Sequence, residues 1–339
     1  MKKNASTIKD IARELGISPS TVSRALKDHF EISEKTKKEV RRVADELSYQ
    51  PNTLALSLRN SKSNTIGLII PEIVHFFFST VISGIEDVAH SRGYNLIITQ
   101  SNESLDKEKA NAQILFNNRV DGVLISLSEE TEDIDHLKVL NDKGLSFVFF
   151  DRISEDMDSS SVIVDDFLGG YQATKHLIDM GYKKIAHLAG PSNLDISTQR
   201  MNGYKKALEE GGIAYSENLV LLNSISSENE TFNSIYELLK NYSPDAIFAF
   251  HDLAAMSAIK AAQNYGKNVP IDFGVIGYSN WQFTSLTNPS ISTVEQPGFE
   301  MGQQAAELLI NQIESDRKPD YEKIKLNTKL LIRESTKKI

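Results

Sequence analysis

The sequence predicts two fold classes in tandem: a small all-α helix-turn-helix head and a two-lobed α/β body with parallel sheets. Three observations carry this. Residues 7–27 hold two helical apolar patterns separated by Gly16. From Thr65 onward, short apolar strands alternate with amphipathic helices, and the alternation restarts near residue 162. The charge is also divided. Residues 1–62 carry 13 Lys and Arg against 8 Asp and Glu, a net +5; the rest of the 339-residue chain carries 24 against 38, a net −14. A basic head on an acidic body suits a segment that binds a polyanion, attached to a body that does not.

In the head, Ile8, Ile11, Ala12 and Leu15 recur at helical spacing, with Lys9, Asp10, Arg13 and Glu14 opposite. Gly16 ends this helix as a residue free to take positive φ in a tight turn. Ser18 is a good N-cap and Pro19 a good first helical residue, so a second helix begins at once. Val22, Ala25 and Leu26 turn inward and leave Ser20, Thr21, Ser23, Arg24 and Lys27 outside. Two short helices across a glycine turn, the second bearing small polar residues and an arginine, make a helix-turn-helix. Ser33 caps a third helix that buries Val40, Val43, Ala44 and Leu47 and displays Lys35, Lys37, Lys38, Arg41 and Arg42. That face alone also fits an ordinary solvated basic surface. Asn52 can cap a further short helix over residues 53–59, too short to hold alone in water and carrying Leu54, Leu56 and Leu58. It needs a partner: a second copy of itself, DNA, or the head domain. The expected domains are a head at 1–50, a hinge helix and linker at 51–62, and a body at 63–339.

These residues resemble the lactose-repressor (LacI/GalR) family of bacterial transcription regulators. The motifs are T-x-x-D-I-A from Thr7, G-I-S from Gly16, T-V-S-R-x-L from Thr21, S-x-K-T from Ser33 and Y-x-P-N-x-x-A-x-x-L from Tyr49. The resemblance implies that the second helix lies in the major groove and that the hinge helices of two subunits pair in the minor groove. It marks Thr7, Ser18, Pro19, Ser20, Thr21, Ser23 and Arg24 as DNA-binding, with Asn52, Ala55 and Leu58 in the hinge. Arg24 is then expected to read guanine through N7 and O6. Pro19 and Ser20 would help set sequence preference, Thr21 and Ser23 would hold phosphates, and Leu58 would wedge between bases. The implied partners are a palindromic double-stranded operator and a second identical subunit.

The body follows in order. Residues 60–64 are a polar linker. Strands are expected at 65–70, 95–99, 122–126 and 147–151, with helices at 80–92, 106–118 and 134–142 between them. The restart gives strands at 162–164, 185–189, 219–222, 246–250 and 273–278, separated by helices at 169–180, 196–210, 231–240 and 253–265. The tail adds a strand at 292–295, a helix at 297–314, and strands near 323–326 and 329–333, and is expected to cross back between the lobes. GLIIP, RVDGVLIS, VIGYSN and STVEQPGFEMGQQAAELL also resemble the effector domain of the same family. This implies a periplasmic-binding-protein-like fold with a small-molecule effector held between lobes. The GYSN form, the VHFFF segment and the FTSLTNPS run resemble a subgroup whose regulators govern carbohydrate use, so a sugar is expected ahead of a nucleobase.

In open α/β sheets ligands sit beyond the carboxyl ends of strands. Asp151 with Arg152, His251 with Asp252, and Ser279 with Asn280 fall there, and Arg200 opens an R-x-x-G-Y motif on a helix. Carboxylates accept pairs of sugar hydroxyls and an arginine fork donates to several oxygens. The resemblance places Asp151, Arg200, His251, Asp252 and Ser279 in the effector site. Ser279 stands where an Asp is frequent in the family. Asp252 reads equally as the N-cap of the helix it precedes. Phe78, in Phe76-Phe77-Phe78, is a candidate aromatic floor for the effector or part of a core or interface cluster. Trp281 fits either the rim of the site or packing.

Other classes find little support. With no cysteine there is neither a disulfide nor a thiolate metal site. No dinucleotide, Walker or H-E-x-x-H motif and no nucleophile elbow is present, so neither an enzyme nor a cofactor is expected. The start MKKNASTIKDIA lacks the apolar core of a secretory signal, and no apolar run nears the roughly 20 residues of a membrane span. The expectation is a cytoplasmic regulator without a membrane partner. The alternative is a sugar-binding transport-type protein without a DNA function.

Overall fold

The computed structural model describes residues 6–49, 62–222, 228–315 and 320–336, and divides the chain into a head, Met1–Ser63, and a body, Asn64–Ile339. In the head, α1 (Ile8–Leu15), α2 (Pro19–Leu26) and α3 (Glu34–Glu46) enclose a core of Ile11, Ala12, Val22, Ala25, Val40 and Val43. Gly16 stops α1 at φ 63, and the backbone N–H of Ile17 bonds to the Ala12 carbonyl. Ser18 and Ser33 cap the next two helices, their hydroxyl oxygens accepting from the N–H groups of Thr21 and Thr36. One expectation fails here: Lys37 is buried, not displayed. Its ammonium folds back on Glu34 at 2.8 Å, so the salt bridge satisfies a charge that the turn of the helix carries inward.

The body holds two six-stranded sheets. The first contains β1 (Thr65–Ile70), β2 (Asn95–Gln100), β3 (Gly122–Ile125), β4 (Ser146–Phe150), β5 (Ser160–Val164) and β11 (Lys323–Leu326), in the order β11-β5-β4-β3-β1-β2 and all parallel. The second contains β6 (Ile185–Ala189), β7 (Val220–Leu222), β8 (Ala246–Ala249), β9 (Gly274–Tyr278), β10 (Ser292–Glu295) and β12 (Lys329–Leu331). Its order is β12-β10-β9-β8-β6-β7, parallel except for β12. The alternation therefore restarts after residues 160–164, not with them: β5 completes the first sheet beside β4, and the chain changes lobe at Asp165.

Helices cover both faces of each sheet, which is why the central strands read as continuous apolar runs, whereas the edge strands β2, β7, β11 and β12 stay partly exposed. In the first lobe, α4 (Phe76–Ser91) and α11 (Gly298–Glu314) cover one face, and α5 (Leu105–Asn117) and α6 (Asp135–Asn141) the other. In the second, α7 (Asp166–Asp179) and α8 (Asp195–Glu210) oppose α9 (Glu228–Tyr242) and α10 (Asp252–Asn264). α11 follows β10 of the second sheet yet packs on β3, β4 and β5 of the first. The chain thus crosses between lobes three times, near 165, 296 and 327. α4 begins at Phe76, four residues earlier than its polar periodicity suggests, because Phe77 and Phe78 make its first buried turn.

Candidate functional site

A cavity of about 230 Å³ lies at the junction of the two lobes. The first lobe supplies Ser128 and Thr131 after β3, and Asp151 and Arg152 after β4; the second supplies Asn193, Asp195 and Gln199. Asp165 and Asp166, on the first crossing, complete the wall with Lys325, whose ammonium lies 3.0 Å from Asp165. Four carboxylates thus face two cations. Asp151 turns out of β4 at φ 59, a left-handed conformation that costs about 1–3 kcal/mol where a side chain must be aimed. Its carboxylate is buried and has no hydrogen-bond donor among the described residues. Burial pushes its pKa up to about 6; Arg152 pulls it down, and Asp166 raises it further.

Arg152 belongs to this wall although composition gave it no separate role. Its Nη1 donates to Glu103 at 2.7 Å, while its buried Nε and the buried Glu103 Oε1 have no hydrogen-bond partner among the described residues. Its place one residue past the strand-end carboxylate Asp151 had marked the position, though not its role in the wall.

Arg200 is positioned differently from the expectation. It is 3% exposed and stands behind the cavity rather than in its lining. Its Nε donates to Asp166 at 2.7 Å and its Nη1 to the Phe250 carbonyl at 2.9 Å, and the guanidinium lies 3.7 Å from the Tyr278 ring centroid. Tyr278 also donates to Asp166, at 3.1 Å. Burial raises the Asp166 pKa, against the lowering effect of Arg200. Arg200 therefore holds a lining carboxylate in place.

The remaining expected residues separate. His251, not Asp252, caps α10: its Nδ1 accepts from the Ala254 N–H at 3.1 Å, and burial holds its pKa at about 4, so the ring is neutral with Nε2 as the donor. Asp252 is fully buried. Its two oxygens accept from the Trp281 N–H at 2.7 Å and the Thr293 hydroxyl at 2.6 Å, and burial raises its pKa to about 7. Both oxygens thus join β9 to β10, and the side chain is sealed from both the cavity and the recess beside Ser279. Ser279, at φ 102, donates to Gln296 at 2.8 Å and lines a second, more open recess of about 760 Å³, together with Trp281, Gln296 and Phe299. Gln296 was missed because nothing in its local pattern separates it from a turn residue. Phe78 is 4% exposed and packs edge-on against Phe77 and Phe150, so it supports the strand that carries Asp151 and is a core residue.

In the head, Pro19, Ser20 and Arg24 are exposed on α2, with Thr21 and Ser23 partly so. The Ser18 hydroxyl is held by capping and by contacts to Ser20 (2.7 Å) and Thr21 (2.8 Å). Thr7 donates its hydroxyl to Asp10 at 2.7 Å. Arg24 Nη1 lies 3.0 Å from Glu31. The hinge positions Asn52, Ala55 and Leu58 lie outside the described residues.

A helix-turn-helix unit and a two-lobed α/β body with a charged cavity at its lobe junction define a ligand-responsive DNA-binding regulator. Residues 7–52 match the family model of bacterial regulatory proteins of the lacI family, and residues 63–334 that of periplasmic binding proteins and the sugar binding domain of the LacI family. The HTH-type transcriptional repressor PurR of Photobacterium profundum is 32% identical over 331 residues, covering 98% of each chain. The HTH-type transcriptional regulator RegA of Clostridium saccharobutylicum is 35% identical, covering 98% of this chain and 99% of the relative. Among solved structures, the transcriptional regulator CelR in complex with cellobiose superposes with a TM-score of 0.74 at 28% identity, covering 97% of this chain and 99% of that one. The chain belongs to the LacI family and is a DNA-binding transcription regulator with an effector-binding domain.

Proposed function

We propose that the body binds a carbohydrate in the lobe-junction cavity and thereby sets the affinity of a homodimer for a palindromic operator in the cytoplasm, without catalysing a reaction. The observation that carries this is the buried, donor-less carboxylate of Asp151 beside the partner-less Nε of Arg152. Together they offer an acceptor and a donor to adjacent hydroxyls. Asp166, a lining carboxylate steadied by Arg200, supplies a second acceptor. The cellobiose-bound relative supports the ligand class. Ser279 and Gln296 line a separate, more open recess.

In the head, Arg24 reads a base, Pro19 and Ser20 shape the preference, and Thr7, Ser18, Thr21 and Ser23 line the phosphate path. Ligand shifts DNA affinity only through unequal binding to the two lobe arrangements. The test is calorimetric titration with a sugar panel led by cellobiose and ribose. A hit should raise the melting temperature and lose at least tenfold in affinity, about 1.4 kcal/mol, in Asp151→Asn. Undiminished affinity in that variant moves the site elsewhere; binding of nucleobases alone removes the carbohydrate reading.

A further inference from the structure

The loop between α2 and α3 turns its two carboxylates onto basic side chains of the head. Asp28, at φ 56, meets Arg41 and lies 3.7 Å from Lys37. Glu31 reaches back to α2, where its Oε2 accepts from Arg24 Nη1 at 3.0 Å with both side chains about half exposed. The loop is braced around this contact: the Glu31 N–H donates to His29 Nδ1 at 3.3 Å, and the His29 ring stacks on Phe30 with centroids 4.6 Å apart. The contact occupies one terminal nitrogen of a planar fork. The opposite edge, formed by Nε and Nη2, remains available for a second planar partner.

We propose that Glu31 is a specificity-determining residue for DNA recognition: it fixes Arg24 so that the Nε–Nη2 edge is presented to a base, and its charge opposes a swing of Arg24 onto phosphate. This rests on the base-reading role of Arg24 proposed above. A guanine presents O6 and N7 as a pair of acceptors that can take the free edge while Glu31 keeps Nη1. Random DNA places such a pair at that position only by chance. There Arg24 gains a phosphate only by leaving Glu31 unpaired beside a polyanion. Glu31 therefore lowers affinity for random DNA more than for a matched site and widens the ratio between them.

The experiment uses the full chain and two fluorescent duplexes of equal length: one recovered by in vitro selection with the wild-type protein, one of random sequence. Binding is followed by anisotropy at one fixed salt concentration. Glu31→Gln should tighten random-duplex binding about two- to fivefold, the scale of an exposed ion pair, with no gain on the selected duplex. Glu31→Ala, which also removes the acceptor, should in addition weaken binding to the selected duplex. In an Arg24→Ala background the change in ratio should vanish. Equal tightening on both duplexes, or an unchanged effect without Arg24, would show that Glu31 is only a nearby charge and overturns the proposal. If selection with the wild type yields no preferred duplex, the base-reading role fails and the proposal fails with it. A clear wild-type preference that Glu31→Gln leaves unmoved sinks Glu31 alone.

Discussion

Asp151 sets the sharpest test at the scale of a single residue. Its folded pKa of about 6 lies above the unfolded value of about 3.9. The stability it contributes is therefore full below the unfolded value and is lost as pH rises through 6. A ligand whose hydroxyls donate to the ionised form works in the opposite sense, so its affinity should rise over the same window. We expect sugar affinity to fall about tenfold between pH 7 and pH 5, and Asp151→Asn to flatten that profile. The same variant should stabilise the ligand-free protein by on the order of 1–3 kcal/mol at pH 7, with a smaller gain at pH 5, read by urea unfolding at both pH values. In the head, Arg24→Ala should cost about 1–3 kcal/mol on the selected duplex and much less on random DNA. Equal losses on the two would assign Arg24 to the backbone.

At the scale of elements, each lobe crosses a pair of helices on reciprocal glycines. In the second lobe a methyl on Gly170 would overlap the Arg200 backbone, and one on Gly203 the Phe167 carbonyl oxygen. In the first lobe Gly84 meets the Phe299 carbonyl of α11, and Gly302 the Val81 carbonyl of α4. Backbone cannot yield as a flexible side chain can. Gly203→Ala should therefore separate α7 from α8 at a cost of about 1–3 kcal/mol, and draw Arg200 off Asp166. Thermal melts would show the loss of stability, and ligand titration should show weakened binding even though residue 203 touches no ligand. Full affinity in a folded Gly203→Ala protein would mean that the α7–α8 spacing does not hold the site. The glycine of R-x-x-G-Y was visible as a motif letter, but that it faces Gly170 was not, since residues 170 and 203 meet only when the two helices pack.

For the whole body, the three crossings tie the lobes at one region and leave contacts elsewhere to report their arrangement. The Asn193 side chain donates to the Glu129 carbonyl across the cleft at 2.5 Å, and Trp281 of the second lobe sits edge-on to His75 of the first, with ring centroids 5.6 Å apart. Trp281 is the chain's single tryptophan. Its emission should therefore shift on ligand binding if the lobes change their spacing. Asn193→Ala, which removes one cross-cleft hydrogen bond worth about 0.5–1.5 kcal/mol, should weaken the ligand by a few-fold. Unaltered emission at ligand saturation would show that binding does not rearrange the lobes around Trp281.

The sequence by itself determined the head and the succession of strands and helices. Those follow from local patterns: the apolar spacing of Ile8 to Leu15, the caps at Ser18 and Ser33, the turn at Gly16, and the apolar runs of strands covered on both faces. It also located Asp151, because a carboxylate ending an apolar strand must emerge at the rim of a parallel sheet. Only the tertiary structure decided which lobe takes β5, since an apolar run carries no mark of its neighbour. It alone turned Asp252 inward to Trp281 and Thr293, put Arg200 behind the cavity instead of in it, and folded Lys37 onto Glu34. Asp252 and Arg200 depend on hydrogen-bond partners between 29 and 50 residues away, and the direction of such a side chain is fixed by whichever of them comes within reach once the helices and sheets have packed; for Lys37 the partner is local, and only its burial is decided by packing.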